Sequence, residues 1–264
     1  MTKRILILGG SGFLGSELVR ASKGFETYFT YNSSLIKNRN AFSLDLNNID
    51  NFKSILKKTT PNIIVFCARF EDSEKFKQII SLIKNVKFVF MSSDAVFDGK
   101  KGNYSEKGTP NPLTTYGIKK KEFEDIIKKE LDDYIIIRSS YILGKGEKRS
   151  AEIIHALKSN EKLRRFNDMY RNPIYVKDLV KIILNLIENN FRGIINTGGE
   201  VIITPFSFAK IVANSKNLDK KLIIPVSYRD FENKSLISPD TTLDITKLKS
   251  VINFKLKRID EINF

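Results

Sequence analysis

The sequence predicts an α/β fold, a doubly wound parallel sheet with a smaller lobe drawn mostly from the C-terminal part of the chain. Three observations carry this expectation. Short apolar runs alternate with longer segments of helical periodicity. A glycine-rich turn follows the first run directly, and the alternation gives way to shorter pieces after Gly199. With 264 residues, the chain is long enough to bury about three quarters of the surface its unfolded form exposes. No repeat or low-complexity linker interrupts it.

In chain order, the strand-like runs are Arg4–Leu8, Thr27–Tyr31, Ile63–Cys67, Val86–Met91, Tyr134–Arg138 and Gly193–Asn196. They are rich in Ile, Val, Phe and Tyr and nearly continuous in hydrophobicity, which is the pattern of strands covered on both faces. Helical spacing appears between them. Phe13–Lys23 puts Leu14, Leu18 and Val19 on one face, and Asp72–Lys84 does the same with Phe76, Ile79, Ile80 and Ile83. Tyr116–Glu130 and Val176–Asn189 read alike. Strand and helix in strict alternation predict a Rossmann-type sheet. Thr204-Pro205 predicts an N-cap followed by proline at the first helical position, opening a helix to about Ser215. Short apolar pieces follow around Lys221–Pro225 and Ser250–Phe254.

Composition removes several function classes. A single cysteine, Cys67, allows no intramolecular disulfide, and with His155 the lone histidine no Cys/His metal cluster is available, so no metal is expected. The longest apolar runs, such as Ile5–Leu8 and Ile63–Ala68, are too short to span a bilayer. Met1-Thr2-Lys3-Arg4 leads straight into a strand-like run without a signal-peptide pattern, so a cytoplasmic location is expected. The charge is +15, from 45 Lys+Arg against 30 Asp+Glu. The lysines are scattered over the polar faces of the predicted helices, with one triple at Lys119–Lys121. No nucleic-acid recognition pattern accompanies them. They read as a solvated basic surface that would favour anionic small molecules rather than as a nucleic-acid site.

Gly9-Gly10-Ser11-Gly12-Phe13-Leu14-Gly15 joins a predicted strand to a predicted helix. One glycine permits the tight turn, one lets the backbone reach a pyrophosphate and one lets helix pack on strand, with the helix N-terminus facing the phosphates. A dinucleotide is therefore expected on this turn. The second strand ends Tyr31-Asn32-Ser33-Ser34, without the carboxylate that would repel a 2′-phosphate, and Lys37 and Arg39 follow. That favours NADPH, with NADH admissible. Asp45-Leu46 is placed to flank the adenine or to form a plain strand-end turn.

Two further segments carry chemistry. Ser92-Ser93-Asp94 falls at a strand's C-terminal end, and Tyr116-Gly117-Ile118-Lys119-Lys120 opens a helix. Tyr116 and Lys120, four apart, share a helix face. An ammonium beside a phenol stabilises the phenolate and makes the tyrosine a usable acid/base near neutrality. A hydroxyl such as that of Ser93 is suited to holding a carbonyl oxygen while the tyrosine protonates it. Cys67 has no histidine nearby in sequence to activate it, and His155 sits in an apolar helical stretch; both read as structural.

With GGSGFLG (Gly9–Gly15), SSDAVFDG (Ser92–Gly99), PNPLTTYGIKK (Pro110–Lys120), IIIRSSYILG (Ile135–Gly144) and DMYRNPIYVKDLV (Asp168–Val180) in this order, the chain resembles the extended short-chain dehydrogenase/reductases, and among them the dTDP-4-dehydrorhamnose reductases. GIINTGGE (Gly193–Glu200) and SPDTTLDITKL (Ser238–Leu248) extend the resemblance over nearly the whole chain. It implies NADPH-dependent reduction of the C4 keto group of a nucleotide-activated 4-keto-6-deoxysugar, as in dTDP-L-rhamnose biosynthesis. Residues 1–145, completed by about 174–198, would form the NAD(P)-binding Rossmann domain. Residues 146–173 and 199–264 would form the substrate-binding lobe.

Carried over by position, Ser93, Tyr116 and Lys120 would be catalytic. Gly9, Ser11, Gly12, Phe13, Leu14, Gly15, Tyr31, Asn32, Ser33, Asp45, Leu46, Cys67, Ala68 and Arg69 would line the cofactor with Tyr116 and Lys120. Ser93, Asp94, Tyr141 and Arg171 would meet the nucleotide sugar. The sequence also departs from the family. Ser93 stands for the usual threonine and keeps its hydroxyl. Ala95 replaces the catalytic glutamate of the related 4,6-dehydratases, so elimination of water is not expected. Two alternatives stay open: another sugar-nucleotide epimerase or oxidoreductase on the same scaffold, and a non-catalytic NADP-binding regulatory subunit resembling the methionine adenosyltransferase β-subunit. A homodimer is equally open.

Overall fold

The computed structural model describes residues 2–32, 36, 38–83 and 85–264. In chain order its elements are β1 (Arg4–Leu8), α1 (Phe13–Ala21), β2 (Glu26–Tyr31), β3 (Ala41–Ser43), α2 (Ile49–Thr59), β4 (Ile63–Phe66), α3 (Ser73–Ser81), β5 (Lys87–Ser93), α4 (Thr115–Glu130), β6 (Tyr134–Ser139), β7 (Ile142–Leu143), α5 (Lys148–Lys158), β8 (Leu163–Phe166), β9 (Ile174–Tyr175), α6 (Val176–Glu188), β10 (Gly193–Thr197), α7 (Pro205–Ser215), β11 (Ile223–Val226) and α8 (Thr246–Val251). The chain folds as two compact units. The first is Met1–Ser92, Lys119–Arg138 and Val180–Ile195; the second is Ser93–Ile118, Ser139–Leu179 and Asn196–Phe264.

A seven-stranded sheet in the order β10-β6-β5-β4-β1-β2-β3 forms the frame of the first unit. The four pairs from β3 to β5 run parallel. From β1 the chain moves outward to β2 and β3, then returns to β4 and proceeds the other way. The strand order therefore reverses between β1 and β4, where open α/β sheets hold their ligands. Alternation along the strands sends Leu6, Leu8, Ile64, Phe66, Phe88, Phe90 and Ile136 to one face, where α2, α3 and α4 bring Phe52, Ile55, Phe76, Ile79, Ile80, Phe123 and Ile127. Phe76 and Phe123 stack at 4.0 Å, and Phe66 meets Phe76 edge-on at 5.4 Å. Ile5, Ile7, Val65, Val89 and Ile137, alternating with these, are also fully buried, so both faces are covered. That double burial is the reason the strands read as unbroken apolar runs.

The second unit has its own core, built from Ile153, Leu157, Leu163, Phe208, Val212, Ile223 and Phe264. β11 pairs parallel with β8, and β7 with β9. Helix α7 starts as expected: the Thr204 side chain accepts from the Ser207 amide, Ser207 reciprocates, and Pro205 follows the cap.

Several boundaries differ from expectation. α1 stops at Ala21: the Ser22 amide and hydroxyl both bond the Leu18 carbonyl, and the Lys23 amide turns to the Ala21 carbonyl instead of continuing the ladder. α3 begins one residue late because Asp72 is its N-cap, accepting from the Lys75 amide. Its expected last residue, Lys84, lies outside the described residues, as do Ser33, Ser34 and Lys37. Helix α2 was not among the expected elements; α5 was read only as an apolar helical stretch around His155, and β3 only as the strand end before Asp45.

Candidate active site

In the first unit, the turn after β1 leaves little room for side chains. Gly9 has φ +83°, and a Cβ there would fall 2.8 Å from the Ala68 backbone, so the turns after β1 and β4 nearly touch. A Cβ on Gly15 would fall 2.2 Å from the Gly9 carbonyl oxygen, which seats α1 directly on the turn. The Gly12 amide closes the turn onto the Gly9 carbonyl at 3.0 Å. Gly12 is the N-cap of α1 and offers no capping side chain, so the first-turn N–H groups suit an anionic group supplied from outside. Gly10 is equally constrained, since a Cβ there would fall 2.6 Å from that of Phe29. Sequence reasoning passed over it because its spacing belongs to no motif. Ser11 is exposed, Phe13 half-buried and Leu14 buried.

Tyr31 is half-buried at the end of β2, followed by exposed Asn32; Ser33 lies outside the described residues. Asp45 is exposed and accepts from the Asn47 amide at 2.9 Å and its side chain at 3.0 Å, while Leu46 is buried. After β4, Cys67, Ala68 and exposed Arg69 follow the strand end. Burial pushes the Cys67 thiol up to about 12, which leaves it protonated and unreactive.

Lys120 Nζ donates to the Met91 carbonyl at 2.7 Å and lies 4.7 Å from the centre of the Phe90 ring. Burial lowers its ammonium to about 8, with Arg69 pushing the same way and Glu124 opposing. Beneath it lies a buried ionic cluster. Arg138 grips Glu124 with two bonds, Nε to Oε1 at 3.0 Å and Nη2 to Oε2 at 2.7 Å, and Ser92 Oγ donates to Glu124 Oε1 at 2.6 Å. Glu124 is 0% and Arg138 1% exposed. The cluster ties α4 to β5 and β6, and so fixes the helix turn that carries Lys120.

In the second unit, Ser93 Oγ accepts from the Ala95 amide at 3.2 Å and donates to Asp94 Oδ1 at 3.1 Å. A Cβ on Gly117 would lie 2.1 Å from the Ala95 carbonyl oxygen, so the first turn of α4 presses against the turn that follows Ser93. This close approach carries half-exposed Tyr116 toward that turn. Gly117 was another residue missed in sequence, although the Tyr-Gly pair is its signal. Tyr141 is half-buried with the Arg149 guanidinium over its ring at 4.1 Å and that of Arg171 at 5.8 Å. Nothing in the spacing announces Arg149.

Arg171 and Asn172 are buried, and both hold the C-terminal segment. Arg171 donates to the carbonyls of Tyr170, Pro239 and Ser238, and Asn172 exchanges two bonds with Leu243. Among the described residues no group of His, Cys, Asp and Glu is arranged to hold a metal ion, and no helix is long and apolar enough to cross a membrane.

The reversed strand order, the glycine turn at the reversal and the Tyr-x-x-x-Lys helix define an extended short-chain dehydrogenase/reductase-like fold. Comparison with known proteins narrows the class. Residues 80–261 match the model of the RmlD substrate binding domain, well over half the chain, and the protein belongs to that family.

It is 24% identical to methionine adenosyltransferase 2 subunit beta of Xenopus tropicalis, over 85% of this chain and 75% of that protein. It is 23% identical to dTDP-4-dehydrorhamnose reductase of Aggregatibacter actinomycetemcomitans, over 96% of this chain and 94% of that one. Among solved structures, dTDP-4-dehydrorhamnose reductase of Bacillus anthracis in complex with NADP superposes with a TM-score of 0.85 at 23% identity, covering 99% of this chain and 97% of that one. At that identity the superposition establishes the fold.

Proposed function

We propose that the protein is an NADPH-dependent reductase of the C4 keto group of a nucleotide-activated 4-keto-6-deoxysugar, similar to dTDP-4-dehydrorhamnose reductase. The observation that carries this reading is the one-turn spacing of Tyr116 and Lys120 on α4, with Lys120 held at the Met91 carbonyl. The glycine turn fits a dinucleotide, since Gly9 and Gly15 let the turn close on the Ala68 backbone and seat α1 on it, which leaves the exposed, side-chain-free Gly12 at the helix N-terminus. NADPH, when bound, supplies the hydride for C4 of the sugar.

The protein's own groups do the rest. The turn Gly9–Gly15 and the start of α1 hold the pyrophosphate, with Ser11, Phe13, Leu14, Tyr31, Asn32, Asp45, Leu46 and the Cys67–Arg69 turn along the cofactor. Ser93 Oγ and the Tyr116 hydroxyl bind the keto oxygen. Tyr116 gives it a proton as the carbon is reduced, so that one C=O becomes one CH–OH. Lys120 holds the ribose and favours the tyrosinate left behind. Tyr141 and Arg171 belong to the sugar-nucleotide side of the site, and Asp94 adjoins it beside Ser93. Positioning and matched proton transfer then supply the rate, the latter about 10²–10⁴-fold. The reading includes a cytoplasmic protein, where NADPH is at hand, and a homodimer that light scattering would test.

Nicotinamide absorbance tests the proposal, with NADPH and then NADH and enzymatically made dTDP-4-keto-6-deoxysugars. Oxidation that prefers NADPH and falls at least 100-fold in Tyr116→Phe is expected; undiminished turnover in that variant would refute it. The relation to methionine adenosyltransferase 2 subunit beta favours a second, regulatory reading. A binding module has no chemical need for Ser93, Tyr116 and Lys120 together, and this chain has all three. Tight NADPH binding without oxidation of it by any keto sugar would support that reading instead.

A further inference from the structure

A serine hydroxyl rotates freely unless a neighbour holds its proton. In the second unit that neighbour is Asp94. The carboxylate is 5% exposed; Oδ1 takes the Ser93 hydroxyl at 3.1 Å and Oδ2 takes the Thr241 hydroxyl at 2.8 Å. Thr241 stands 147 residues further along and is 1% exposed. Arg171 Nε lies 3.7 Å from the same Oδ2, while its other nitrogens bind the Tyr170 carbonyl at 2.6 Å, the Pro239 carbonyl at 3.1 Å and the Ser238 carbonyl at 2.8 Å. Asp94 is thus anchored on one side by a segment made rigid through Arg171, and on the other it meets Ser93 alone.

The two bonds differ in kind. Hydroxyl-to-carboxylate bonds run to about 2.5–2.7 Å when strong. The Thr241 bond is close to that range and the Ser93 bond is well outside it. The carboxylate is fixed by Thr241 and holds the Ser93 proton loosely.

The geometry points to Asp94 as a positioning residue for Ser93, a role that rests on the reductase reading above. In the resting site it parks the Ser93 hydroxyl proton. When the keto oxygen arrives, the O–H bond swings from Asp94 onto that oxygen without leaving Ser93, and Thr241 with Arg171 keeps the carboxylate in place. Asp94 therefore acts on the reaction through Ser93, and Thr241 acts through Asp94.

A double-mutant cycle tests this. Asp94→Asn and Thr241→Val are each made in the unaltered protein and in Ser93→Ala, and kcat, KM, NADPH affinity by fluorescence and the unfolding midpoint are measured. With Ser93 present, each is expected to lower kcat on the order of 10-fold, as a misdirected donor does, with NADPH affinity unchanged. Thr241→Ser, which keeps the hydroxyl, is expected to restore most of the loss. In the Ser93→Ala background both substitutions should be silent within twofold. A loss that recurs undiminished without Ser93 overturns the inference, because a structural role would add to any background; so does full activity in both single variants. Asp94→Asn is isosteric, so a folding defect in Thr241→Val leaves one arm of the cycle decisive. Failure of the unaltered protein to oxidise NADPH with any keto sugar sinks the reductase reading and this role with it, whereas turnover with an additive cycle sinks only the role of Asp94.

Discussion

Replacing Arg138 by methionine strips the partner from a carboxylate that has no access to water. Glu124 is 0% exposed and receives two bonds from Arg138, at 3.0 and 2.7 Å, and one from Ser92 at 2.6 Å. After Arg138→Met only the Ser92 bond remains. Breaking a buried pair from one side costs about 3–5 kcal/mol, because the surviving charge is left uncompensated. Against a total stability of about 5–15 kcal/mol, that is about a fifth of the whole at the least.

Removing both charges, as in Arg138→Met with Glu124→Leu, leaves no stranded ion. The remaining cost is the unmade bond of the buried Ser92 hydroxyl, about 1–3 kcal/mol. The double variant is therefore expected to be more stable than Arg138→Met alone, with a coupling energy of about 2 kcal/mol or more. Urea unfolding followed by far-ultraviolet circular dichroism and tyrosine fluorescence measures it; at a slope of about 3 kcal/mol/M, Arg138→Met moves the midpoint down by about 1–1.7 M. A loss below about 1 kcal/mol in Arg138→Met, or a double variant as unstable as the sum of the two single ones, would refute the reasoning. Either outcome would mean that the carboxylate does not depend on the guanidinium.

Two further outcomes follow from the site. Burial holds Lys120 at about 8 against an ordinary 10.5, so between those pH values the unfolded chain binds more protons than the folded one. The Lys120 contribution to the stability of the ligand-free protein should therefore rise with pH across that window, opposed above about pH 9 by Cys67, whose thiol the folded chain keeps protonated to about 12, and Lys120→Met should flatten the rise in urea midpoints taken from about pH 7.5 to 9. Gly117→Ala would put a Cβ 2.1 Å from the Ala95 carbonyl, so α4 must back away from the turn after Ser93. Turnover should drop on the order of 10²-fold for a stability loss of only about 1–3 kcal/mol, read from steady-state kinetics beside thermal melts.

How far the sequence revealed this structure depends on the range of the interactions. Six of the seven strands of the central sheet are legible to within two residues because their burial writes an apolar run, whereas β3, at the edge and only partly buried, is not. The glycine turn is legible because tight packing at Gly9 and Gly15 admits no other residue. Helix α2 is not. The segment that leads into it, Leu46-Asn47-Asn48-Ile49-Asp50, has the composition of a turn, and Phe52, Ile55 and Thr59 are buried while Ile49 and Leu56 pack only partly against the core.

The chemistry divides in the same way. Tyr116 and Lys120 announce themselves through helical spacing, whereas Asp94 and Thr241, or Tyr141 and Arg171, meet only because the fold returns separate segments to one place. Arg138 shows the limit most clearly. A charge inside the apolar run Tyr134–Ser139 gives no hint in sequence that its partner, Glu124, waits on the preceding helix.

Ser92 and Ser93 stand side by side on β5, and successive strand residues point to opposite faces. One hydroxyl answers to Glu124 and the other to Asp94. Losing one residue anywhere earlier in the strand would turn both to the opposite face, setting Ser93 against Glu124 and withdrawing Ser92 to the place of Met91, away from Asp94. Genes that diverge from this one are therefore free to spell β5 differently, but they must spell it with the same number of letters.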